Sequence, residues 1–121
     1  MSELHVSTKK KLDKTISQEQ NVIAHFYTSE LPVSRYMMLI LKGVQNELSW
    51  NPLHNSPSLL KEDSDIALVH VNIFKKDSLN KEFGIVSVPS LVFYKDGKEA
   101  GCICTLKSMS KVMKKIKAIY G

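Results

Sequence analysis

The chain has 121 residues, 43% of them hydrophobic and 24% charged, a balance that fits one compact domain with a real core. No run of about 18 apolar residues occurs, which argues against a membrane-spanning helix, and two cysteines are too few for a disulfide scaffold. The net charge is +5, and the segment from Thr105 to Gly121 accounts for it with Lys107, Lys111, Lys114, Lys115 and Lys117 and no acid. Such a patch favours an acidic protein partner over nucleic acid, or is simply a solvated helix face.

Met1-Ser2-Glu3-Leu4-His5 lacks the basic-then-apolar pattern of a secretory signal, so the cytoplasm or nucleus is the expected location. Leu4-His5-Val6 reads as a short first strand. Ser7 or Thr8 is placed to cap a helix running to about Ser17, with Leu12 and Ile16 on one face and Lys9, Lys10, Lys11 and Lys14 mostly outward. Val22 to Tyr27 is nearly continuously apolar and predicts a buried strand.

After a polar turn, Thr28 to Ser34, a long helix is expected from about Ser34 to Glu47, with Ser34 as its N-cap. Met37, Ile40, Leu41, Val44 and Leu48 fall at helical spacing, and Tyr36 and Leu39 widen the stripe. Gly43 inside it costs about 1 kcal/mol relative to alanine, and is placed for close packing against a sheet. Residues 49–65 read as a long loop, with Pro52, Pro57, Asn51, Asn55 and Ser56 breaking regular structure. The single tryptophan, Trp50, either packs back on the preceding helix or belongs to a working loop.

Ile66 to Ile73 is a third strand, rich in β-branched residues. Asp77 or Ser78 can cap a short helix that uses Leu79 and Phe83 and ends at Gly84. Val88-Pro89 then opens a strand through Tyr94. A proline there donates no ladder bond, so it marks an edge, a strand start or a cis bond. Asp96-Gly97 is a hairpin turn leading to a strand through Cys104. The last helix starts near Ser108, with Met109, Val112, Met113, Ile116, Ile119 and Tyr120 as its apolar stripe. The expected order is β-α-β-α-β-α-β-β-α: an α/β fold with a mixed central sheet and helices on both faces, in a single domain over residues 1–121.

Three segments together resemble the thioredoxin superfamily: Val22 to Val44, Val69 to Ile85, and the proline hairpin Val86 to Glu99. The resemblance implies a thioredoxin fold with a cis-proline at Pro89 beside the turn after the second strand. In a thioredoxin that turn carries Trp-Cys-Gly-Pro-Cys. Counted from His25-Phe26-Tyr27, the tryptophan falls on Glu30, the cysteines on Leu31 and Ser34, and the intervening pair on Pro32-Val33. The buried acid of thioredoxins falls on His25. Dithiol exchange needs a thiolate at the helix N-terminus and a resolving thiol one turn later. Leu31 offers no nucleophile, and Ser34 is an alcohol with no adjacent base. The chain is therefore expected not to be an enzyme at this site. His25-Phe26-Tyr27 with Pro32 also resembles the phosducin-like branch that assists the cytosolic chaperonin.

What the resemblance leaves is a groove. Glu30, Leu31, Pro32, Val33, Ser34, Val88 and Pro89 would form a docking surface for an extended peptide, or merely close the surface after the chemistry was lost. The leading expectation is thus a redox-inactive protein that binds a protein or peptide partner. Cys102 and Cys104 share one face of a strand at the upper limit for a bridge, so they are either a labile redox pair or two small residues packed under a helix. His25 and His70 are either proton carriers or hydrogen-bonded core histidines. The four histidines, His5, His25, His54 and His70, are scattered and none has a carboxylate or cysteine at a metal-site spacing, so neither a metal nor a cofactor is expected.

Overall fold

Three parallel strands and an antiparallel hairpin make one mixed sheet in the computed structural model, which describes residues 2–28, 32–49, 66–73, 88–104 and 107–120. The elements are β1 (Ser2–Val6), α1 (Lys9–Gln18), β2 (Asn21–Tyr27), α2 (Pro32–Ser49), β3 (Ile66–Asn72), β4 (Ser90–Lys95), β5 (Lys98–Ile103) and α3 (Met109–Tyr120). The spatial order is β1-β3-β2-β4-β5. β3 pairs in parallel with β1 and β2, and β4 pairs antiparallel with β2 and β5.

Alternation along each strand divides the core in two. Ile23, Leu68, Leu91 and Phe93 point to the face covered by Met37, Leu41 and Val44 of α2 and by Val112, Ile116 and Tyr120 of α3. Val22, Ala24, Phe26, Val69 and Val71 point to the opposite face, where Leu12 of α1 is buried against them. The central strands β2 and β3 are therefore apolar on both sides, as their continuous hydrophobic runs predict.

Local chemistry sets the ends of the elements. Thr8 Oγ1 accepts from the Lys11 amide at 3.3 Å, capping α1. Ser108 Oγ does the same for the Lys111 amide of α3 at 3.3 Å. Asp96 and Gly97 both take positive φ, 54° and 80°, the pattern of a tight turn that matches strand twist. Tyr120 Oη lies 2.9 Å from Val22 O and 3.0 Å from Tyr94 O, tying the end of α3 to two paired strands.

Three expectations need correction. α2 begins at Pro32, so Ser34 is its third residue and not its N-cap; a proline at the first helical position lacks only an amide that had no partner anyway. Tyr36 and Leu39 do not widen the buried stripe: they are 61% and 66% exposed, while Met37, Leu41 and Val44 fill the sheet-facing side. Gly43 faces the start of α3 and not the sheet, since a Cβ there would meet Met109 Sδ at 2.7 Å. The predicted loop at 49–65 and the predicted short helix from Asp77 to Gly84 lie outside the described residues.

Candidate functional site

The C-terminal ends of β2 and β3 and the start of β4 meet at one end of the sheet. Phe26 pairs with Ser90, and the Ile73 amide donates to Tyr27 O at 2.8 Å. Pro89 is buried immediately before Ser90, after a cis Val88–Pro89 bond. α2 starts five residues after Tyr27. Strand register thus brings Pro32 and Val33, exposed and half-buried, to the same sheet end as half-buried Val88 and buried Pro89. Ser34 joins them through the backbone of α2. Glu30 and Leu31 lie outside the described residues.

Beside this end, parallel register sets up a row of histidines. His5 is opposite His70, and His70 is opposite His25, on three neighbouring strands. Equal register places all three on one face, the face that carries α2. His25 Nδ1 lies 3.0 Å from His70 Nδ1. His70 Nε2 lies 2.7 Å from Glu3 Oε1, and Gln45 Nε2 donates to Glu3 Oε2 at 3.3 Å. The His5 ring stacks on His70 with centroids 4.8 Å apart, and Tyr27 stacks on His25 at 5.2 Å.

Burial decides the charge of this row. Exclusion of water, with a smaller push from His70, lowers the His25 pKa to about 3. Burial also lowers His70, against the upward pull of the Glu3 hydrogen bond and charge. For Glu3 the desolvation that would raise its pKa is outweighed by the hydrogen bonds from Gln45 and His70, leaving it lowered. Both buried rings are therefore neutral at pH 7. The carboxylate then accepts from His70 Nε2–H, so His70 Nδ1 must accept from His25 Nδ1–H. That leaves His25 Nε2 as a bare acceptor, buried with no hydrogen-bond partner among the described residues.

His25 and His70 are buried, hydrogen-bonded core histidines, but their bond to each other and the addition of Glu3 and His5 are features that chain spacing does not show. Glu3, His5 and His70 each present a ligand atom within 4.8 Å of the others. A cavity of about 160 Å³ opens beside Glu3, Gln45 and His70, with Met38, Leu41 and Lys42 completing its wall. Glu3 and His5 are two residues apart on one face of β1, but His70 is far along the chain. Only the pairing of β1 with β3 could have revealed the set.

Cys102 and Cys104 are not packed under a helix. Both are exposed, with Sγ atoms 3.4 Å apart. The hydrogen bond with Cys104, followed by desolvation, raises the Cys102 thiol pKa. Because Leu91 pairs with Ile103, Cys104 lies one strand over from the start of β4. At α3, Lys107, Lys111, Lys114 and Lys117 are exposed as a basic face.

The mixed five-stranded sheet, the helices on its two faces and the proline before β4 define a thioredoxin-like domain. Residues 3–118 match the family model described as Thioredoxin, and the chain belongs to that family. A thioredoxin of Mycoplasmoides gallisepticum is 23% identical over 79% of this chain and 81% of its own length. The N21Q mutant thioredoxin of Halobacterium salinarum superposes with a TM-score of 0.74 at 18% identity, covering 99% of this chain and 92% of that one. Mitochondrial thioredoxin 3 of Saccharomyces cerevisiae in its oxidized form gives 0.72 at 17% identity, covering 95% and 93%. These structures share the thioredoxin fold with this chain. No helix among the described residues is long and apolar enough to cross a membrane.

Proposed function

We propose that this chain is a thioredoxin-family protein that performs no dithiol exchange at the start of α2 and instead binds an extended segment of a partner protein or peptide. The resemblance places the docking groove between Glu30–Ser34 and Val88–Pro89. The observation that carries this reading is the residue set of the turn: Leu31 and Ser34 stand where the resemblance places thiols, and the chain's only cysteines are Cys102 and Cys104. Proline and valine at the head of α2, with Val88 and Pro89 at the same sheet end, supply apolar side chains for a docked extended segment. Exposed Tyr36 and Leu39 extend the apolar surface along α2. The basic face of α3 suits an acidic partner.

Insulin reduction driven by dithiothreitol tests the first half of the proposal. No acceleration over the uncatalysed rate is expected, and turnover comparable to a thioredoxin overturns it. Capture of partners by the wild-type chain but not by Val33→Asp or Val88→Asp tests the second half. If the branch resemblance extends to function, chaperonin subunits are among the proteins captured.

A second reading is a thiol-disulfide oxidoreductase or redox sensor that uses Cys102 and Cys104. It is favoured by two exposed thiols 3.4 Å apart on the strand next to β4. Thiol counting before and after mild oxidation decides it. Two thiols that stay free end this reading.

A further inference from the structure

We infer that Glu3, His5 and His70 form a binding site for a divalent transition metal, zinc being the best match to the donor set. One carboxylate and two imidazoles are the ligand types of a three-residue zinc site with an open fourth position. Their ligand atoms already lie within 4.8 Å of one another, and Glu3 Oε1 and His70 Nε2 are 2.7 Å apart. Zinc–nitrogen and zinc–oxygen bonds of about 2 Å need donors roughly 3–3.5 Å apart. Bringing His5 into range takes only rotation of an exposed side chain out of its stack on His70.

What separates this trio from a chance surface cluster is its outer shell. Metal-binding imidazoles are oriented by a partner on the other ring nitrogen, and ligating carboxylates are held in turn. Here His70 Nδ1 is held by His25 Nδ1 at 3.0 Å, and the second oxygen of Glu3 is held by Gln45 at 3.3 Å. His25 is fully buried, so the ring that orients His70 is itself fixed by packing. On binding, His70 turns its Nε2 lone pair to the metal and carries its proton on Nδ1, donating to His25 Nδ1. The His25 proton moves to Nε2, and each ring still holds one proton.

Access and space also fit. β1 is an edge strand, so an ion reaches Glu3 and His5 from solvent. The cavity of about 160 Å³ beside Glu3 and His70 leaves room for a water or an anionic ligand at the fourth position. Lys42 on its wall repels a bare cation but would pair with such an anion.

The test is titration of the full chain with Zn²⁺ against a chromophoric chelator, run with reduced protein. Saturable binding of one equivalent is expected. His5→Ala and Glu3→Gln, both at exposed positions and so expected to fold, each weaken it by about tenfold or more, in the range seen for losses at metal sites. The double variant Cys102→Ser/Cys104→Ser leaves it unchanged. No saturable binding overturns the proposal. So does binding that survives His5→Ala and Glu3→Gln, or that disappears with the two cysteines.

Discussion

His25 and His70 meet nitrogen to nitrogen, Nδ1 to Nδ1 at 3.0 Å, in the middle of the sheet. Two imidazoles can share such a contact only if one donates and the other accepts, so protonating both rings would set two N–H groups against each other. The contact therefore excludes a doubly protonated pair, and burial disfavours even one charge, which has a consequence for stability.

His25, facing His70 and Tyr27, has a pKa pushed down to about 3 by burial, against 6.5 when exposed. Between those values the unfolded chain binds a proton that the folded chain refuses. Stability from this group is complete above pH 6.5 and falls as the pH drops toward 3, by up to about 1.4 kcal/mol per pH unit. The depressed His70 titrates in the same sense. Urea unfolding with a chelator present should show a loss of about 2 kcal/mol between pH 7.5 and pH 5. His25→Leu should flatten that slope. A wild-type profile that is level over this range contradicts the neutral pair.

Tyr120 reaches from the last turn of α3 to Val22 O and Tyr94 O, a paired set on β2 and β4. Burial raises its pKa, so the hydroxyl remains a donor at any ordinary pH. Tyr120→Phe keeps the ring against Phe93 and leaves the two carbonyls without this donor. The expected cost is about 1–2 kcal/mol in thermal or denaturant unfolding. An unchanged midpoint would mean that water replaces the hydroxyl.

Two glycines should respond oppositely to alanine. Gly97 has φ +80° and open space around its Cβ position, so Gly97→Ala meets backbone strain alone and should cost about 1 kcal/mol. Gly43 lies inside α2, where alanine gains up to about 1 kcal/mol of helix propensity. Its new methyl meets only Met109 Sδ, on a flexible, partly exposed side chain that can move. Gly43→Ala should therefore be neutral or stabilising, whereas Gly43→Leu should destabilise. Unfolding midpoints of the three variants settle both signs.

The architecture was legible because its signals are local. The apolar runs of β2 and β3, the Asp96-Gly97 turn and the stripe of α3 each specify an element within a dozen residues. The start of α2 was misplaced because Ser34 looks like a cap, while Pro32, equally at home at the first helical position, outranked it. The histidine row was illegible because it depends on register between β1, β3 and β2. Spacing within the chain carries none of that information. Once a parallel β1–β3 pair is known, His5 opposite His70 follows, and Glu3 joins them because it shares their face.

Cys102 is exposed, yet its hydrogen bond with Cys104 Sγ holds its pKa above the ordinary thiol value. A raised pKa means less thiolate at a given pH, and the thiolate is the form that reacts. Alkylation of Cys102 by iodoacetamide at pH 7.5 should therefore be slower than that of a free cysteine. Cys104→Ala removes the partner and should speed it, with the rate at Cys102 followed by mass spectrometry. If the rate instead falls in Cys104→Ala, then Cys104 activates its neighbour, as an oxidoreductase pair requires, and the reading that uses Cys102 and Cys104 gains over the binding-only one.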